Sequence, residues 1–211
     1  MSKQIITVSR EFGSGGRTVG KRVAELLDIP YYDKELVKQV AVATGFDEAF
    51  VEQNGEDASP WKKLFSHAFA GVNPGQPMQG LSADDFLWVI QCKVILDLAE
   101  KGPCVIVGRC ADYILRDRED CLKVFVHASV PFRAQRIVRL YGESEQAPEK
   151  RLEVKDKRRR AYYNHYTGRD WGAYANYDLA LNTGVVGIQR AAQFIAEVAR
   201  APFAGSPADH P

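Results

Sequence analysis

The chain is poor in cysteine, and the few it has are not arranged for chemistry. Cys92, Cys104, Cys110 and Cys121 are its four. No two are spaced C-x-x-C, and the four histidines form no cluster beside them, which argues against a zinc framework. Such thiols read as reduced and mostly buried, as in a cytosolic protein. Charge of one sign is also missing: 28 Lys and Arg face 27 Asp and Glu, a net +1, so no global basic field argues for nucleic acid. No apolar run is long enough to span a bilayer. The first residues show no charged-then-apolar leader pattern, and the expectation is a cytoplasmic protein without membrane contact. Internal repeats, long low-complexity tracts and the G-x-G-x-x-G fingerprint are absent too, and the last absence lowers a dinucleotide-binding reading. What remains is 211 residues, 45% of them hydrophobic. That composition suits a globular protein with a real core, and the length suits one domain with a mobile subdomain.

The organising stretch is residues 5–18, IITVSREFGSGGRT. Ile5, Ile6, Thr7 and Val8 are β-branched and predict a short buried strand. The glycine-rich turn of Gly13, Ser14, Gly15 and Gly16 follows, then a helical pattern over 19–27. Strand, glycine turn and helix start together make a phosphate cradle: glycines let N–H groups point inward, and the helix N-terminus adds partial positive charge. The P-loop pattern G-x-x-x-x-G-K-[ST], aligned on its second glycine, puts Gly16 there, Arg17 in the lysine place, Thr18 in the hydroxyl place and Glu11 in the first glycine place. Arginine keeps lysine's charge but replaces a flexible point charge by a planar fork. Thr18 is the candidate hydroxyl ligand for Mg²⁺. The alternative reading is a plain turn between strand and helix.

Further along, residues 31–33 predict an extended piece and 34–44 a helix ended by Gly45, with a second short helix over 46–53. Residues 54–80 are punctuated by Gly and Pro around an amphipathic stretch with Trp61, Phe65 and Phe69 at helical spacing; this predicts a functional flap or a disordered segment, with the aromatic stripe serving packing. Ser82 with Asp84 and Asp85 marks a helix start, and that helix runs to about Glu100. Residues 104–107, CVIV, read as a central parallel strand, followed at once by Gly108 and Arg109, where open α/β sheets bind ligands. A helical turn over 111–115, a strand over 122–128 and a helix over 132–141 come next, the last with Phe132, Ile137 and Leu140 inward and Arg133, Arg136 and Arg139 near one face. Residues 149–160 carry seven basic against three acidic side chains, and Tyr162, Tyr163, Tyr166 and Trp171 follow. Three readings stand: a solvated face, a lid over 149–171 closing on polyphosphate, or charge plus stacking for single-stranded nucleic acid. A last strand over 177–183, a helix over 186–200 and a frayed tail over 201–211 complete the chain. Strands separated by helices predict an α/β fold with a parallel sheet and flanking helices in three layers. We expect one domain over 1–200, with an acceptor-side insertion at 54–80.

On SREFGSGGRT, YYDKEL after the first helix, VIVGR after the middle strand and KDKRRRAYYNHYTGRDW before YDLALNT, the chain resembles the cytidylate kinase-like family of P-loop proteins, relatives of the nucleoside monophosphate kinases. The resemblance spans about 5–199. It implies a three-layer P-loop kinase fold with a helical lid, and ATP-dependent phosphoryl transfer with Mg²⁺ to a nucleotide such as CMP or dCMP. It implies that Gly13, Ser14, Gly15, Gly16, Arg17 and Thr18 hold donor phosphates, that Asp33 and Arg109 meet the acceptor, and that Asp156 and Arg159 act from the lid. Arg133 and Arg136 are possible additions to the acceptor set. Arg17, Arg159 and Asp33 are the residues expected to carry catalysis. Relative to true cytidylate kinases, Arg17 stands for the loop lysine and Cys110 for an aspartate after the strand. These departures motivate two other readings: a nucleotide-binding sensor without efficient transfer, and a kinase of another small metabolite.

Overall fold

A computed structural model of the chain describes residues 4–45, 48, 49 and 82–201. Of the helix expected over 46–53 only Glu48 and Ala49 are described, both helical; the 54–80 insertion with its Trp61, Phe65 and Phe69 stripe, and the tail beyond Ala201, lie outside the described residues.

Five strands form one parallel sheet among the described residues. In chain order the elements are β1 (Ile5–Arg10), α1 (Gly16–Leu27), β2 (Tyr31–Tyr32), α2 (Lys34–Thr44), α3 (Ala83–Glu100), β3 (Cys104–Val107), α4 (Ala111–Ile114), β4 (Cys121–His127), α5 (Val130–Tyr141), α6 (Pro148–Thr167), β5 (Leu179–Asn182), α7 (Thr183–Val186) and α8 (Ile188–Arg200). The strand order is β2-β3-β1-β4-β5. The chain thus leaves β1 toward β2 and β3 on one side and later crosses to β4 and β5 on the other. Ligands of open α/β sheets bind at such a reversal, outside the carboxyl ends of the strands.

Apolar alternation sorts the layers. Ile5, Cys104 and Ile106 face α2, α3 and α4, packing on Leu36, Ile95 and Leu98. Ile6, Val8, Val105 and Val107 face α1 and α8, packing on Val19, Val23 and Ile195. Every residue of β1 and β3 is buried, as expected for parallel strands covered on both sides. At α3, Ser82 Oγ accepts from Asp85 N at 3.1 Å and donates to Asp85 Oδ2 at 2.7 Å, the expected cap. All four cysteines are free; three are buried, and burial pushes the Cys121 thiol up to about 12. No described helix is long and apolar enough to cross a membrane.

Several boundaries differ from expectation. β1 runs two residues further, because Ser9 and Arg10 keep pairing with Phe125 and Val126. The helix expected over 186–200 is broken at Gly187, whose φ of 79° ends α7 and starts α8. The charged run belongs to a single 20-residue helix, α6, opened by Pro148 and closed by left-handed Gly168. Leu140, expected inward, is 52% exposed, while Arg133 is buried in its stead; α5 turns a charged side chain toward the loop after β1.

Candidate active site

The turn after β1 is built by close approach. Gly13 and Gly15 have φ of 80° and 91°, a region that costs residues with a Cβ. A Cβ at Gly13 would lie 2.9 Å from the Arg133 carbonyl, and one at Gly15 2.8 Å from Ile188 Cδ1. Ser14 is buried; its hydroxyl reaches Glu11 O at 2.9 Å and Val126 O at 3.0 Å, and its carbonyl accepts from Thr183 Oγ1. Among the described residues nothing accepts a hydrogen bond from the N–H of Gly13, Gly15, Gly16, Arg17 or Thr18. The first N–H groups of a helix have no intrahelical partner. Together they form a concave row of donors at the positive end of α1, a ready anion site.

A second layer of charges holds the loop from below. Asp156 Oδ1 accepts from Phe12 N at 2.7 Å, while its Oδ2 accepts from Arg133 Nη1. Arg133 Nη1 also donates to Phe12 O at 3.2 Å. Glu11 Oε2 accepts from Ala128 N at 3.1 Å and stands 3.4 Å from Arg133 Nε. Arg159, 4% exposed, donates from Nη1 to Arg10 O at 3.2 Å and lies 4.0 Å from Asp156 Oδ1. Arg133, Asp156 and Arg159 therefore meet beneath the loop and brace its backbone. Asp156 and Arg159, expected to act from the lid, and Arg133, expected to join the acceptor set, engage the loop backbone, and Asp156 joins the two arginines.

At the mouth, Arg17 Nε lies 3.0 Å from Asp33 Oδ2, an ion pair outside good hydrogen-bond alignment. The Tyr31 hydroxyl donates to Arg17 O at 3.3 Å, and burial first, then Asp33, holds that phenol well above its ordinary range. Thr18, expected as a ligand for Mg²⁺, accepts from Arg136 Nη2 at 2.9 Å, so a guanidinium stands beside that hydroxyl. Arg136 sits against the positive end of α1. Desolvation, then neighbouring Arg139, pushes its pKa below the guanidinium value, though it stays charged at neutral pH.

Arg109 stands at the carboxyl end of β3. Gly108, Arg109 and Cys110 have φ of 71°, 59° and 54°. Three successive left-handed residues, two of them not glycine, are costly, and such strain gathers at functional sites. Gln91 Nε2 pins this turn by donating to Arg109 O at 3.1 Å. Behind it, buried Asp112 accepts from Ser9 Oγ at 3.0 Å and Tyr163 Oη at 2.7 Å. Sequence reasoning missed Gln91 and Asp112, which sit in no recognisable motif, and the bracing role of Glu11, which lies within the loop motif: each reaches its partner from a distant segment. The aromatic residues offered as a stacking platform turn inward. Trp171 packs edge-on to Phe125 at 5.5 Å, and Trp88 stacks on Tyr166 at 4.5 Å.

The helix start also corrects the loop register. The left-handed glycine directly before α1 is Gly15, and Gly16 is its first residue. Aligned on Gly15, the strand–G-x-x-x-x-G-K-[ST]–helix pattern places Arg10 at the first glycine, Gly16 at the lysine and Arg17 at the hydroxyl residue. Alignment on Gly16 was one residue late.

With this geometry in place, comparison with known proteins is informative. The model of the cytidylate kinase-like family matches residues 5–185. The chain is 28% identical over 198 residues to a cytidylate kinase of Pyrococcus horikoshii, covering 90% of this chain and 88% of that protein. A crystal structure of an uncharacterized protein from Eubacterium ventriosum superposes with a TM-score of 0.66 at 26% identity, over 94% of this chain and 99% of that one. A shikimate kinase from Acinetobacter baumannii, in complex with shikimate, gives 0.51 at 18% identity, over 92% of each chain; that likeness concerns the fold alone.

Proposed function

The chain belongs to the cytidylate kinase-like family, and from that membership we propose that it moves the terminal phosphoryl group of ATP to a small acceptor, nominally CMP or dCMP. The observation that carries this reading is the open row of N–H groups of Gly13, Gly15, Gly16, Arg17 and Thr18, with Arg136 held 2.9 Å from Thr18 Oγ1 at the same helix end. A guanidinium against the positive end of a helix is unfavourable until an anion lies between them. A polyphosphate is such an anion.

Phosphoryl transfer asks the protein for positioning and charge neutralisation more than covalent chemistry. The N–H groups of Gly13, Gly15, Gly16, Arg17 and Thr18, with Arg136, would grip the donor phosphates. Arg17 and Asp33, paired at the mouth beside β2, and Arg109, on the strained turn after β3, would meet the acceptor. Arg133, Asp156 and Arg159 keep the loop in shape. The bond from the β–γ bridging oxygen to the γ-phosphorus breaks, an acceptor oxygen takes the phosphoryl group, and ADP leaves. The family implies Mg²⁺ with ATP, yet the donor set does not fit a protein-held metal: Thr18 Oγ1 faces Arg136, and Asp33 faces Arg17. The ion belongs with the phosphates and water. We take residues 1–200 as one kinase-like domain working in the cytoplasm.

A coupled assay of ADP release over CMP, dCMP, other nucleoside monophosphates, shikimate and gluconate tests the reading. ADP release with CMP or dCMP is expected. Release only with another acceptor keeps the kinase and changes its substrate. Tight ATP binding with no release from any acceptor favours the sensor, which the glycine in the lysine place motivates.

A further inference from the structure

The buried face of α3 carries one polar residue. Leu87, Gln91, Val94, Ile95, Leu98 and Ala99 are its buried positions among the described residues, and only Gln91 is polar. An amide enclosed at 3% exposure is costly unless its hydrogens find acceptors, so its bonds explain its place. Nε2 donates to Arg109 O at 3.1 Å and to Tyr162 Oη at 3.2 Å. A backbone carbonyl only accepts, which fixes the facing atom as the amide nitrogen. Its two hydrogens thus go to two different segments, the turn after β3 and helix α6.

The first bond falls where the backbone most needs it. Arg109 and Cys110 are left-handed, with φ of 59° and 54°, a region disfavoured for any residue with a Cβ. The peptide between them carries the carbonyl that Gln91 holds. Orienting that plane fixes ψ of Arg109 and φ of Cys110, the angles that decide how the turn leaves β3. Gly108 N, bonded to Val8 O at 3.0 Å, anchors the start of the turn to β1. The second bond sets the turn against α6. Tyr162 lies three residues beyond Arg159, which donates to Arg10 O. Trp88, one helical turn before Gln91, meets the Tyr162 ring edge-on at 6.3 Å. Desolvation above all pushes the Tyr162 phenol well above its ordinary range, so this partner stays neutral at physiological pH. The helix that braces the donor loop therefore also registers the turn after β3.

We propose that Gln91 is a positioning residue for the acceptor: its single side-chain amide holds the Arg109 peptide in the left-handed turn and sets that turn against α6. The assignment rests on the phosphotransfer reading, in which Arg109 meets the acceptor, and adds the group that places it. Gln91 acts through Arg109 and takes no part in the transfer itself.

The test is steady-state ADP release with MgATP and CMP, or with whichever acceptor of the ADP-release survey the parent turns over. It compares the parent, Gln91→Met, Gln91→His, Arg109→Met and the double variant Gln91→Met with Arg109→Met. Methionine is close to glutamine in volume and donates no hydrogen bond, so Gln91→Met should fold; Gln91→Leu replaces it if it does not. The acceptor KM should rise at least about tenfold, with kcat within about threefold and the KM for MgATP within about twofold of the parent. Histidine presents an N–H at similar reach, so Gln91→His should recover part of the loss. On Arg109→Met, adding Gln91→Met should move the acceptor KM by less than about twofold, because the group being placed is already gone. A folded Gln91→Met or Gln91→Leu with an acceptor KM within twofold of the parent overturns the assignment and leaves the kinase reading standing. Equal rises in both KM values also overturn it, since they report general loosening, and so does a further tenfold rise in the double variant. A parent that turns over none of the acceptors overturns both.

Discussion

Asp156 accepts from the Phe12 N–H at 2.7 Å and from Arg133 with its other oxygen, so one buried carboxylate orders a loop amide and neutralises a buried cation. Removing it leaves buried Arg133 with only the more distant Glu11 carboxylate, 3.4 Å from its Nε, as counter-charge. Asp156→Ala should cost about 3–5 kcal/mol of stability, read from urea unfolding, and should weaken ATP binding through the loosened loop; a melting curve equal to the parent's would refute this placement. Arg17 is a different case. Its side chain is 42% exposed and its pair with Asp33 is reached by solvent, so the pair contributes roughly 0–1 kcal/mol. Arg17→Ala should therefore melt close to the parent while kcat/KM falls by at least about tenfold, some 1.4 kcal/mol of transition-state stabilisation. Unchanged turnover would remove Arg17 from the site.

At the scale of elements, α6 explains why a charged segment is also a structural one. Its buried residues are Leu152, Asp156, Arg159, Tyr163 and Thr167, at spacings of four, three, four and four. That is one helical face, but it mixes apolar and charged side chains, because the surface it meets is the polar underside of the loop and Asp112. The helix stops at Gly168, φ 66°, where an added Cβ would meet nothing within 4 Å. The cost of a side chain there is thus conformational only. Gly168→Ala should destabilise the protein by about 1–2 kcal/mol, measured by thermal or urea unfolding; no change would mean that the helix end is held by other contacts.

For the whole molecule, the donor phosphates would add a shared anion to segments that already touch: the loop after β1, α1 and α5. Binding to the folded state alone stabilises it by about 2.7 kcal/mol when ligand is a hundredfold above Kd. For a chain of this size that is roughly 5–10 °C in melting temperature. MgATP should produce such a shift, with slowed amide exchange over residues 13–18. A shift without protection of those amides would put the nucleotide elsewhere.

The order of strands and helices, the buried parallel sheet, the glycine turn behind β1 and the Ser82 cap are all legible in the chain, because each depends on residues within one or two turns of one another. Apolar alternation and capping are local physics. The loop register, the bracing by Glu11, Arg133, Asp156 and Arg159, and the meeting of Gln91 with Arg109 were decided only on folding. The braces join positions more than a hundred residues apart. Which of several arginines lies under the loop, beside it or at its mouth depends on how α5 and α6 dock. Charge can be read from a sequence, but the hollow it faces is made by packing.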